Sequence, residues 1–164
     1  RAFFEASKEV TFLDASKKAL SYAEANYFAN THDSSTPPQM IQEDGFQGLK
    51  KLLDSPKRFG LVSIDPPALI KHRKQSAEGL AGYRTLNLLA MRLLEPHGIL
   101  VTSSCSYHLR SETLQDCLLR AANKEGRTVQ ILATGRQDID HPERLGMPET
   151  SYLKCIICAV HPKD

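Results

Sequence analysis

Gly60-Leu61-Val62-Ser63-Ile64-Asp65-Pro66-Pro67 is a short apolar run that ends on an acid and two consecutive prolines. Val and Ile suit a pleated, buried strand. The prolines end it, because each holds φ at about −65° and lacks an N–H to donate. The exit is therefore a rigid turn whose carbonyls stay free to accept, with the Asp65 carboxylate beside them. Such an acceptor-rich pocket suits the amino edge of a nucleobase. The plainer alternative is an ordinary proline-terminated strand.

Outward from this strand, short runs rich in Val, Ile and Leu alternate with longer stretches of helical spacing, the pattern of a parallel sheet covered by helices. The alternation predicts an α/β fold with strands near 9–14, 39–43, 60–64, 98–103, 128–133 and 152–159. Helices are predicted near 16–30, 46–54, 78–94 and 111–124. The first helix has Asp14 or Ser16 as its cap and a stripe of Ala19, Leu20, Ala23 and Tyr27. The third carries Leu86, Leu89, Ala90 and Leu93 on one face and stops at Pro96 and Gly98. Thr31 to Pro38 reads as a loop. Thr134 to Thr150, with its charges, glycines and prolines, reads as a longer one, and long loops inside compact domains are often functional.

The chain has 164 residues and 41% apolar content, enough to bury the core of one domain, and shows no repeat or low-complexity tract. Its apolar runs fall far short of the roughly 18 residues that cross a bilayer, and its mean hydropathy is -0.35. A soluble protein is expected. A net charge of +2 does not diagnose nucleic acid, so any basic footprint has to be local. Cysteines at 105, 117, 155 and 158 fit reduced, cytoplasmic usage better than a disulfide framework. The sequence opens on Arg1 without a signal-peptide pattern and reads as an excerpt of a longer chain.

Ligands of open α/β sheets collect beyond the carboxyl ends of the strands. The first strand ends on Asp14, whose carboxylate can accept both hydroxyls of a ribose or cap the following helix. The second leads to Asp44 and Phe46: the acid can accept from an adenine amine while the ring packs on the base, or it can act only as a cap. Lys71-His72-Arg73-Lys74, after the two prolines, can hold phosphates or form a solvated basic loop. The fourth strand ends in Thr102-Ser103-Ser104-Cys105-Ser106, placing a thiol where a nucleophile could sit. His108 can shuttle protons near Cys105 or stand as an exposed loop histidine, the second being the plainer reading. Cys155 and Cys158, three apart on a strand, face opposite sides and read as structural thiols, with no second pair to complete a metal site.

Taken together and in order, these strand ends resemble a class I S-adenosylmethionine-dependent methyltransferase. More narrowly, they resemble the bacterial large-subunit ribosomal RNA cytosine-5 methyltransferases that carry a PUA domain. The matching stretches are Val10 to Asn30, Met40 to Phe46, Phe59 to Pro67, Tyr83 to Tyr107 and His141 to Lys154, the last including Tyr152-Leu153-Lys154. The resemblance implies a Rossmann-like sheet, mostly parallel with an antiparallel final hairpin, lacking its first strand and the glycine-rich first motif here. It implies that Asp14 holds the cofactor ribose, Asp44 the adenine amine, and Asp65 the junction of cofactor and target base. It implies that Cys105 is the covalent nucleophile, with Pro66, Pro67, Lys71 and Arg73 on the RNA side. Ribosomal RNA, an upstream PUA-type domain and a homodimer are the implied partners. Besides the missing first motif, two departures stand out: Ala68-Leu69 follow the prolines where relatives often place an aromatic, and no second cysteine directly follows Pro67 to take the carbon-5 proton. The competing readings are methylation of a nucleobase amino nitrogen, which needs no thiol, and a non-catalytic RNA-binding domain.

Overall fold

The computed structural model describes residues 9–31, 36–70, 72 and 76–163. The chain forms two compact units, Arg1–Lys51 and Leu52–Asp164.

In the first unit, β1 (Thr11–Asp14) pairs in parallel with β2 (Gln39–Gln42), Thr11 opposite Gln39 and Asp14 opposite Gln42. Between them runs α1 (Lys17–Asn30), and α2 (Gly45–Leu53) follows β2. The α1 stripe is as the spacing predicts: Leu20 and Tyr27 are buried, Ala19 and Ala23 half-buried. Tyr27 meets Phe12 of β1 edge to face, and its hydroxyl donates to the Thr36 carbonyl at 3.2 Å. Gly48 lets α2 close on the sheet, since a Cβ there would fall 2.3 Å from Leu13 Cδ1.

In the second unit, β3 (Phe59–Ile64), β4 (Leu94–Ser104), β5 (Arg127–Gly135) and β6 (Lys154–Pro162) form one sheet in the order β3-β4-β6-β5. The β3–β4 pair is parallel, and β6 inserts between β4 and β5 and runs against both. Two helices, α3 (Ser76–Leu93) and α4 (Ser111–Lys124), complete it. The α3 stripe of Leu86, Leu89, Ala90 and Leu93 is buried, together with Leu114, Cys117 and Leu118 of α4 and Leu100, Ile156, Cys158 and Val160 of the sheet. Burial of this order, about 25 cal/mol per Å² of apolar area, is what holds the unit together.

Two boundaries differ from the sequence reading. Helix α3 passes straight into β4 at Leu94, where the sequence suggests a stop at Pro96 and a strand from residue 98. Pro96 is tolerated because the register jumps there: Phe59 pairs with Leu94 but Leu61 with Ile99, so the residues between bulge out, His97 with φ 65°. The segment expected to be structureless is also more ordered than its composition suggests. β5 continues to Gly135, Arg144 bridges to Met147, and Pro148–Thr150 form a single 3-10 turn. The Gln137 side chain ties this segment together, donating to the Thr150 carbonyl and accepting from Leu153 N at 3.3 Å.

Candidate functional site

The first unit contributes two carboxylates at strand ends. Asp14 closes β1, and its Oδ1 accepts from Ser16 N at 2.7 Å. Ser16 Oγ in turn accepts from Ala19 N at 3.2 Å, so Ser16 caps α1 and Asp14 shapes the turn before it. Asp44 caps α2 directly, its Oδ1 accepting from Phe46 N at 3.0 Å and Gln47 N at 3.3 Å. The capping role weighed for Asp44 is therefore real. It does not exhaust either side chain: both are exposed, and Oδ2 of each has no hydrogen-bond partner among the described residues. A carboxylate bound at one oxygen can still accept a hydroxyl or an amine at the other.

In the second unit, parallel pairing sets Ile64 opposite Thr102, so Asp65 and Cys105 follow the carboxyl ends of neighbouring strands. Asp65 is exposed and free of hydrogen bonds among the described residues; Pro66 is half-buried and Pro67 exposed. Beyond them Ile70 is buried, and its N–H donates to Ser106 Oγ at 3.3 Å. Gly79 makes this possible, because a Cβ there would lie 2.7 Å from the Leu69 carbonyl oxygen. Lys71 and Arg73, the basic residues assigned to RNA, lie outside the described residues.

Cys105 is half-buried, directly after β4. The period of two along the strand explains its placement: Leu100, Thr102 and Ser104 point into the core, whereas Val101, Ser103 and Cys105 remain partly accessible. Its two neighbours are locked. Tyr83 of α3 is fully buried, with its hydroxyl 2.7 Å from Ser104 Oγ and 2.9 Å from Ser106 Oγ. Ser106 N donates to Ser104 Oγ at 3.1 Å. Lys154, the first residue of β6, donates from Nζ to the Ser106 carbonyl at 2.7 Å and the Tyr152 carbonyl at 2.6 Å. One hydroxyl network thus ties α3, the turn after β3 and the turn carrying Cys105.

The other cysteines differ from Cys105 by burial. Cys158 donates to the Leu100 carbonyl at 3.5 Å, and burial pushes its thiol up to about 11. Burial likewise raises the Cys117 thiol, against the opposing charge of Arg84. Cys155 is half-buried on the opposite face of β6 from Cys158, as the strand period requires. His108 is exposed, its ring edge-on to Tyr107. Sequence reasoning gave no role to Tyr83, Ser104, Ser106 or Lys154. The signal available was two serines flanking a strand-end cysteine, and a tyrosine three residues before the Leu86 of an apolar stripe.

The chain has an α/β, Rossmann-like fold that it shares with solved methyltransferase structures. The crystal structure of SMU.776 with SAH superposes with a TM-score of 0.75, covering 93% of this chain and 39% of that one at 17% identity. That of NSun6 from Pyrococcus horikoshii with SFG gives 0.60, covering 95% and 42% at 18% identity. Among sequences, the chain is 35% identical over 153 residues to Ribosomal RNA large subunit methyltransferase I of Klebsiella pneumoniae. It is 37% identical over 153 residues to the protein of the same name from Erwinia tasmaniensis. Each alignment takes in 93% of this chain, which spans 38% of the length of those relatives. No protein-family model matches.

Proposed function

We propose that residues 1–164 are methyltransferase-domain sequence of an S-adenosylmethionine-dependent enzyme that methylates carbon 5 of a cytosine in ribosomal RNA, with Cys105 as covalent nucleophile. The observation that carries the reading is the accessible Cys105 after β4, clamped between two anchored serines, with Asp65 at the end of the adjacent strand. The names of the relatives supply the substrate class.

Carbon 5 of cytosine is a poor nucleophile. When the Cys105 thiolate adds to carbon 6, the sulfur–carbon bond forms and the carbon 5–carbon 6 π pair becomes available at carbon 5. The ring nitrogen takes a proton from solvent as the thiolate adds, and Asp65 stabilises it and accepts from the exocyclic amine. S-adenosylmethionine, when bound, would supply the electrophilic methyl group, leaving S-adenosylhomocysteine. After transfer the carbon-5 proton passes to solvent, the double bond re-forms as Cys105 leaves with its electron pair, and the ring nitrogen returns its proton to solvent. The free Oδ2 atoms of Asp14 and Asp44 fit the cofactor's ribose hydroxyls and adenine amine, since each is an exposed acceptor just beyond a strand. Pro66, Pro67, Lys71 and Arg73 are the RNA-binding residues of this reading. An upstream PUA-type domain, a homodimer and a cytoplasmic place of action belong to it too.

The test is methyl transfer by the intact protein to ribosomal RNA, with the product nucleoside identified by mass spectrometry. The wild type should yield 5-methylcytidine and Cys105→Ser none. Methylation retained in Cys105→Ser, or a methyl on an amino nitrogen, overturns the proposal in favour of amine chemistry.

A further inference from the structure

Lys154 stands opposite Ser104 in the antiparallel β4–β6 pair, so it begins beside the residue that precedes Cys105. Its Nζ then reaches the carbonyl of Ser106, the residue that follows Cys105, and the carbonyl of Tyr152. The side chain therefore spans the backbone on both sides of the cysteine. The same Ser106 carbonyl accepts from Leu109 N at 3.0 Å, which closes the turn leading to α4. Lys154 is half-buried, and no carboxylate pairs with it among the described residues. A partly desolvated ammonium with only neutral acceptors is costly, and a facing negative charge offsets that cost.

Among the described residues, the charged and titratable groups placed around this end of β4 include Cys155, opposite Ser103 on β6. Asp65 comes from the exit of β3, His108 and Tyr107 from the turn after Cys105, and the Tyr83 hydroxyl from α3 through the two serines. The side chain that bridges to this turn from β6 is Lys154. Burial lowers the Lys154 pKa, and charge on Cys105 works in the opposite direction.

We propose that Lys154 is the positioning residue of the Cys105 nucleophile: it pins the Cys105–Ser106 turn from β6 and sets a positive charge beside the sulfur. The inference rests on the reading that Cys105 attacks carbon 6. Lys154 then acts at both ends of the reaction. It faces the thiolate before the sulfur–carbon bond forms, and it faces the thiolate again when that bond breaks and the electron pair returns to sulfur. Its own protons stay on Nζ throughout.

Charge-selective alkylation reads this directly. In the intact protein carrying Cys155→Ser, Cys105 is alkylated with anionic iodoacetate and with neutral iodoacetamide, and the modified peptide is quantified by mass spectrometry. The proposed positive charge beside the sulfur favours the anionic reagent, by roughly three- to tenfold at low salt. Lys154→Met and Lys154→Gln should lower the iodoacetate-to-iodoacetamide rate ratio by that factor, and Lys154→Arg should keep it. Both neutral variants should also lower kcat with little change in the KM for RNA. A ratio unchanged in a neutral variant whose urea midpoint matches the wild type overturns the proposal. The two readings fail separately. Turnover retained by Cys105→Ser defeats the nucleophile, whereas lost turnover in Cys105→Ser with an unmoved ratio defeats only Lys154.

Discussion

Tyr83→Phe removes a single oxygen from a network in which Tyr83, Ser104 and Ser106 are all buried to 1% exposure or less. Two short hydrogen bonds disappear, at 2.7 and 2.9 Å. Each serine oxygen keeps one donor, Ser106 N on Ser104 and Ile70 N on Ser106. The tyrosine hydroxyl has a single proton, so at least one of its two serine contacts is donated by the serine. That serine proton is left with no acceptor in the core. Two lost bonds at about 1 kcal/mol each, with one buried donor unpaired at about 1 to 3 kcal/mol, give a loss of about 3 to 5 kcal/mol. The aromatic ring stays, so no cavity adds to the figure. Urea unfolding is the assay: at a slope of about 2 kcal/mol/M the midpoint should fall by roughly 1.5 to 2.5 M with the slope unchanged. The loss belongs to the transition of the second unit. A cycle with Ser104→Ala should show coupling on the order of 1 kcal/mol, because the two groups share one bond. A loss below about 0.5 kcal/mol, or an additive cycle, would refute the claim that this network anchors the Cys105 turn.

Alkaline pH gives a second prediction. Burial raises the Cys158 thiol from 9.0 to about 11, so its contribution is fully present below pH 9 and is lost as pH rises through about 11. Two pKa units correspond to about 2.7 kcal/mol, and Cys158→Ala should flatten the stability profile across that window when unfolding is measured from pH 8 to 11. Asp14→Ala in the intact protein should weaken S-adenosylmethionine binding by the worth of a charged hydrogen bond, about 1.5 to 3 kcal/mol by calorimetry. Unchanged affinity there would remove Asp14 from the cofactor site.

Much of the fold was legible because the residues obey simple periods. The apolar run Ile99-Leu100-Val101 of β4, and the Leu86, Leu89, Ala90, Leu93 stripe of α3, announce a strand and its covering helix before any coordinate is known. The Leu94–Ile99 bulge was not legible, since Pro96 reads as a stop unless the partner strand is seen to skip a register there. Asp14, Asp44, Asp65 and Cys105 were legible as strand-end residues. What each carboxylate also does locally was not: whether Ser16 or Asp14 caps α1 depends on side-chain geometry that both residue types allow. The Tyr83 network and the reach of Lys154 were hidden for a different reason. They join residues 21 to 48 positions apart, and only the β4–β6 register and the seating of α3 bring them together.

The central claim is that Cys105 bonds covalently to cytosine carbon 6. RNA bearing 5-fluorocytidine at the target position tests it most directly, because fluorine cannot leave carbon 5 as a proton does, and the adduct cannot resolve after methyl transfer. Incubated with S-adenosylmethionine and this RNA, the intact protein should form a complex that survives denaturing electrophoresis and yields a crosslinked peptide containing Cys105. Cys105→Ser should form none while binding the cofactor almost as the wild type does. A wild-type protein that methylates unmodified RNA yet forms no denaturation-resistant complex with the fluorinated RNA would contradict the claim.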